Sequence, residues 1–214
     1  MSFFAPCPLR VKICGITSAA DAAMAIDAGA DALGFNFFPG SKRHISFAES
    51  REWIAALQGR VDRVAVVVNA SPAELAELRD SGCFEAVQFH GDETPADCVA
   101  AGFPRWMRAV RVKDAGSAAE IGRYGTPFVL IDSWSAIAYG GTGERLSWDL
   151  ARDLVLAHRD RHIILAGGLT PHNVREAVRI ARPYGVDVAG GVEADPRRKD
   201  EYLTREFIKA AKGA

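Results

Sequence analysis

Eight times along this 214-residue chain, a short apolar run is followed by a turn and then by a stretch of helical period. The runs are LRVKI (9–13), ALGFN (32–36), RVAVVV (63–68), AVQF (86–89), RWMRAV (105–110), PFVLID (127–132), HIILA (162–166) and VDVA (186–189). Strands that alternate with helices pair in parallel through crossovers, which leaves two architectures, an open doubly wound sheet or a closed barrel. A count of eight, in a chain near the short end for a barrel, favours closure. The strand ends argue the same way. Cys14, Asn36, Asn69, His90, Arg111, Asp132, Gly167 and Gly190 stand at or just past the C-terminal ends of the runs. A barrel builds its site from all of those tips, whereas an open sheet gathers polar residues at one switch point. The expected fold is α/β, a single (β/α)8 TIM barrel domain over residues 1–214 with a closed, parallel, eight-stranded sheet. Three helices carry start signals, a cap residue followed by proline, at Ser71-Pro72, Thr94-Pro95 and Thr170-Pro171. The helix around DAGSAAEIG has the weakest pattern.

Composition narrows the function classes. With 26 basic against 27 acidic residues the net charge is -1, and the basic run Arg197-Arg198-Lys199 is flanked by Asp195, Asp200 and Glu201. No nucleic-acid partner is expected from that balance. No apolar run reaches the length of a membrane span, and MSFFAPCPLR is no signal peptide, so no membrane partner is expected. Cys7, Cys14, Cys83 and Cys98 make no CxxC pair and no metal spacing, and read as free thiols of a reducing, cytoplasmic compartment.

Glycine pairs end the last two strands, Gly167-Gly168 in ILAGGLTPHNV and Gly190-Gly191 in VDVAGGVEADP. Turns of this kind let backbone N–H groups approach a dianion, and the loops after strands seven and eight are where such barrels bind phosphate. Tight turns alone would also account for them. Asp132 follows four apolar residues, and partial desolvation would raise its pKa toward the range of a proton donor; a carboxylate capping the next loop is the plainer alternative. The glycine-rich segment after it, SAIAYGGTGERLSW, is long enough to cover the site. Cys14 is either a packed thiol or a reactive one. Lys12 points to the same face one layer lower, and would form an imine if the barrel were an aldolase. Arg43 could clamp a carboxylate or lie in solvent, and His90 could touch a ligand or bond within its loop.

KICGIT, LGFNFFPGSKRHI, VAVVVN, VQFHG, LIDS followed by GGTG, LAGGLTPHNV and GVDVAGGVE resemble, in order and spacing, the phosphoribosylanthranilate isomerase family from Val11 to the C-terminal helix. The resemblance implies an Amadori rearrangement of N-(5-phosphoribosyl)anthranilate in tryptophan biosynthesis, with no metal and no cofactor. It implies Cys14 as general base, Asp132 as general acid, Arg43 at the anthranilate carboxylate, Asp187 near the sugar, and His90, on a family motif of the fourth strand, as a further substrate-binding residue. Gly167, Gly168, Gly190 and Gly191 would hold the phosphate. The small-molecule phosphosugar is the partner implied, and the assembly a monomer or homodimer. The chain departs from the family with Ala189-Gly190-Gly191 where serines are common, with Arg198 where a glycine is common before Lys-Asp, and with Lys42-Arg43-His44 in the second loop. A related sugar-phosphate isomerase, a lysine aldolase and a non-catalytic phosphosugar-binding barrel are the alternatives.

Overall fold

The computed structural model describes residues 2–5, 9–113, 116, 118–133 and 147–214. Cys7 and most of the segment after Asp132, residues 134–146, lie outside the described residues. Eight parallel strands close on themselves in chain order. They are β1 (Arg10–Cys14), β2 (Ala32–Asn36), β3 (Asp62–Val67), β4 (Ala86–Phe89), β5 (Trp106–Val112), β6 (Phe128–Ser133), β7 (His162–Leu165) and β8 (Gly185–Val188). β1 closes the ring by pairing with both β2 and β8. The helices between them are α1 (Ala19–Asp27), α2 (Phe47–Ala55), α3 (Pro72–Asp80), α4 (Pro95–Ala100), α5 (Ala118–Arg123), α6 (Trp148–Ala157), α7 (Val174–Ala181) and α8 (Glu201–Lys212).

Period-2 alternation sorts the strand residues into two cores. Val11, Ile13, Leu33, Phe35, Ala65, Val67, Val87, Phe89 and their equivalents face outward and pack under the helices. Ala32, Val64, Met107, Ala109, Phe128, Leu130, Ile164 and Ala166 form a separate apolar cluster with Phe3. Phe3 comes from the N-terminal segment, which the strand pattern gave no reason to place. Its backbone N–H and the Ser2 hydroxyl both donate to Asp62 at 2.6 Å, and the Tyr184 hydroxyl donates to its carbonyl. Asp62 opens β3 and Tyr184 precedes β8, so this plug seals the N-terminal end of the barrel. Polar interior positions are thereby confined to the other end.

Two of the three proline starts hold. Ser71 and Thr94 each accept from the N3 amide, and Glu74 and Asp97 bond back to the cap N–H. The third differs. α7 begins at Val174, because the Asn173 side chain accepts from Thr170 N–H at 2.8 Å and donates to the Gly168 carbonyl at 2.9 Å. Residues 170–173 are held as a turn that braces the β7 loop. A two-stranded ribbon after β8, β9 (Glu193–Asp195) with β10 (Arg198–Lys199), was not foreseen. Among the described residues no helix is long and apolar enough to cross a membrane.

Candidate active site

The upper barrel interior is built from residues that the strand register forces inward. Lys12 and Cys14 are two apart on β1, so they share a face; their register partners are Asp187 and Gly34. Lys12 is fully buried and donates to Asp187 at 2.7 Å. Gly34 supplies the room: a Cβ there would lie 2.7 Å from the Cys14 sulfur and 2.9 Å from Lys12 Nζ. The two head groups therefore converge on one methyl-sized space.

Their charges follow from that placement. Burial pushes the Cys14 thiol up; the Lys12 ammonium pulls it down, Asp187 adds to the rise, and the net displacement is upward. Burial also works to lower the pKa of Lys12, but Asp187 and Cys14 outweigh it and hold the ammonium above its ordinary value. Imine formation needs a neutral amine. The ammonium clamped to Asp187 is the wrong state for an aldolase lysine.

Asp132 lies one residue inside the end of β6 and is buried. His90, just past β4, brings Nε2 to 3.7 Å from an Asp132 carboxylate oxygen. Burial drives the His90 pKa to about 4, with Lys12, Arg108 and Arg111 adding positive potential, so the imidazole is neutral near pH 7. Gln88 Nε2 lies 3.0 Å from His90 Nδ1. With the amide as donor there, the ring proton sits on Nε2, the nitrogen that faces Asp132.

Arg43, in the β2 loop, reaches over the mouth of the barrel. Gly15 and Gly190 give it space, since a Cβ on Gly15 would overlap Arg43 Cδ and one on Gly190 would stand 3.1 Å from Nη2. Its Nε and Nη2 each donate to a Glu193 oxygen at 2.6 Å. Glu193 also accepts from Lys199 at 2.9 Å, and Lys199 bonds the Ala189 carbonyl at 3.0 Å. Lys199 thus belongs to the interior, not to a solvated basic run. The ribbon puts it there: Thr17 donates to the Arg197 carbonyl, and Lys199 N–H donates to Asp21. Sequence reasoning passed over Glu193 and Lys199 as pairing residues. The one available signal was an acid and a lysine bracketing a short loop.

The two glycine pairs lie on the β7 and β8 loops, which touch at Leu169 and Gly191. Gly167 and Gly168 have φ of +83° and +66°, a region that disfavours side chains. A Cβ on Gly191 would fall on the Leu169 carbonyl oxygen. Gly190–Val192 form a single 3-10 turn. Among the described residues no group of three or more His, Cys, Asp or Glu could hold a metal ion.

The sequence-expected residues thus fall into three neighbouring groups: Lys12, Cys14 and Asp187; His90 and Asp132; and Arg43 beside the glycine loops. A family model for N-(5'phosphoribosyl)anthranilate (PRA) isomerase matches residues 11–210. The N-(5'-phosphoribosyl)anthranilate isomerase of Geobacter sulfurreducens is 47% identical over 205 residues, which is 96% of this chain and 99% of that protein. The phosphoribosyl anthranilate isomerase of Thermotoga maritima superposes with a TM-score of 0.86 at 38% identity, covering 96% of this chain and all of the other. A further isomerase structure, TM-score 0.83, 38% identical, with the same coverage of both chains, holds reduced 1-(o-carboxyphenylamino)-1-deoxyribulose 5-phosphate. The chain belongs to the N-(5'-phosphoribosyl)anthranilate isomerase family.

Proposed function

We propose that this chain, working as one barrel domain, converts N-(5-phosphoribosyl)anthranilate to 1-(2-carboxyphenylamino)-1-deoxyribulose 5-phosphate in L-tryptophan biosynthesis, with Cys14 as general base and Asp132 as general acid. The observation that carries this reading is that Cys14, beside the Lys12 ammonium, and Asp132, beside the neutral His90, share the C-terminal end of the barrel. Asp132 gives its proton to the furanose ring oxygen as the anilino nitrogen lone pair pushes out the C1–O bond. The open iminium then loses its C2 proton to the Cys14 thiolate. The resulting enolamine relaxes to the ketone, with a proton returned to C1. Nothing is oxidised or reduced overall; a hydrogen moves from C2 to C1. Burial makes Cys14 a stronger base than an exposed thiolate, which suits it to a carbon acid.

Arg43 is the group for the anthranilate carboxylate, and Gly167, Gly168, Gly190 and Gly191 for the phosphate. The aldolase alternative is disfavoured by the protonated Lys12. The test is a fluorescence assay of turnover on N-(5-phosphoribosyl)anthranilate with the purified protein and with Cys14→Ala. General base catalysis makes the expected loss in kcat at least about a hundredfold, with little change in binding. Near-normal turnover by Cys14→Ala would send the proton elsewhere, and an inactive parent protein would leave a phosphosugar-binding barrel.

A further inference from the structure

We propose that Lys12 is the positioning residue for the base: its buried ammonium, anchored by Asp187, holds the Cys14 sulfur in place and keeps its thiolate form within reach. The proposal rests on the reading of Cys14 as base. Lys12 has no exposed surface and no bond to solvent. Burying a lysine costs a great deal unless its charge is used, and one carboxylate is all that a purely structural pair would need. Here the chain also removes a side chain, at Gly34, from the point where the ammonium and the sulfur converge. The backbone torsion at Gly34 would itself allow an alanine, since its φ is not positive. The missing Cβ is explained first by the two head groups, the nearest atoms at 2.7 and 2.9 Å, with the Cys14 Cα behind them at 3.2 Å.

Among the described residues, the charges around the sulfur come from several elements. From β1 comes Lys12, from β8 Asp187, from the ribbon after it Lys199 and Glu193, and from the β2 loop Arg43. His90 and Asp132 lie toward β4 and β6. Lys199 and Arg43 share the single carboxylate of Glu193, which leaves one positive charge over, and Lys199 also pulls the thiol down, though by less than Lys12 does. Lys12 is tied to Asp187 but stands next to the sulfur, and its pull on the thiol exceeds the opposing push of Asp187. When the thiolate takes the C2 proton, the ammonium returns to a single partner, Asp187, and the pair stays neutral. No proton leaves Lys12 at any step.

The experiment titrates Cys14 directly, by the NMR shift of its labelled Cβ against pH, in the parent protein and in Lys12→Met. Loss of an adjacent opposite charge should raise the titration point by about one to three pH units. The acidic limb of kcat/KM should move up with it, KM should hold, and Lys12→Arg should restore part of the shift. An unchanged titration point in Lys12→Met would overturn the proposal. Should Lys12→Met fail to fold, with Asp187 left buried and alone, the double variant Lys12→Met/Asp187→Asn removes both charges. The thiol should still titrate higher there than in the parent, and an equal or lower value would overturn the proposal. Because the titration needs no turnover, it is separate from the base assignment, which falls only if Cys14→Ala remains active.

Discussion

Arg43 and Glu193 meet edge to edge, with Nε and Nη2 of the guanidinium each 2.6 Å from one carboxylate oxygen across 150 residues of sequence. Burial works to raise the Glu193 pKa, but the Arg43 bonds and the Lys199 charge overcome it and hold the carboxyl below its usual range. The clamp uses one edge of the fork and fixes the guanidinium plane. Nη1 makes no hydrogen bond to a described residue, which leaves the Nη1–Nη2 edge for the carboxylate that the proposed function assigns to it.

Arg43→Ala should therefore raise KM for N-(5-phosphoribosyl)anthranilate by roughly 10- to 100-fold, the scale of hydrogen bonds to a charged group, with a smaller effect on kcat. Glu193→Gln should raise KM by less, since the guanidinium remains but loses its fixed plane. Steady-state kinetics decides both. Unaltered KM in Arg43→Ala would return that arginine to the solvated surface.

Asp132→Asn tests the acid. An amide cannot release the proton that opens the ring, so kcat should fall about as far as in Cys14→Ala, on the order of a hundredfold or more. The pH profile of kcat/KM in the parent should be bell-shaped, and the limb at high pH, where the acid loses its proton, should vanish in the variant. Persistence of both limbs unchanged would remove Asp132 from the mechanism.

His90 gives a stability prediction with a definite sign. The unfolded imidazole takes a proton near pH 6.5, the folded one at about 4. Between those values only the unfolded chain binds the proton, so stability is full above pH 6.5 and declines as pH falls to 4. The gap corresponds to roughly 3 kcal/mol. Denaturant titrations at a series of pH values should show this decline, and His90→Gln should flatten it. An equally steep decline in His90→Gln would place the proton uptake on other groups.

The strands were legible because parallel strands covered on both faces are near-continuous apolar runs, and their polar ends stand out. Cys14, His90 and Asp132 could be found in that way. What escaped the sequence depends on chain reversal. Lys199 follows two exposed arginines, and only the fold of the β9–β10 ribbon onto Thr17 and Asp21 carries it inward. The pairing of Arg43 with Glu193 joins distant loops and leaves no local mark. Phe3 packs into the barrel from a segment with no strand pattern. Lys12 was visible but ambiguous, since an imine lysine and an ion-paired lysine look alike until Asp187 is seen 2.7 Å away.

The phosphate loops can be tested at two adjacent glycines that should behave differently. At Gly191 an added Cβ strikes the Leu169 carbonyl, a backbone atom that cannot swing aside, and it also crowds Val188 Cγ2 at 3.2 Å. Gly191→Ala should push the β7 and β8 loops apart, lower stability by about 1–3 kcal/mol as overpacking does, and weaken inorganic phosphate binding. At Gly190 the backbone tolerates a side chain, and the nearest atom is Arg43 Nη2 at 3.1 Å. Gly190→Ser offers a hydroxyl worth about 0.5–1.5 kcal/mol, so inorganic phosphate should bind up to roughly tenfold more tightly. The same Cβ presses on a guanidinium that Glu193 holds in place. Affinity for a complete product analogue, which needs both the phosphate and the carboxylate contacts, should gain less than affinity for inorganic phosphate. Calorimetry with the two ligands separates the effects. Weaker inorganic phosphate binding in Gly190→Ser would mean that the Gly190 loop does not face the phosphate.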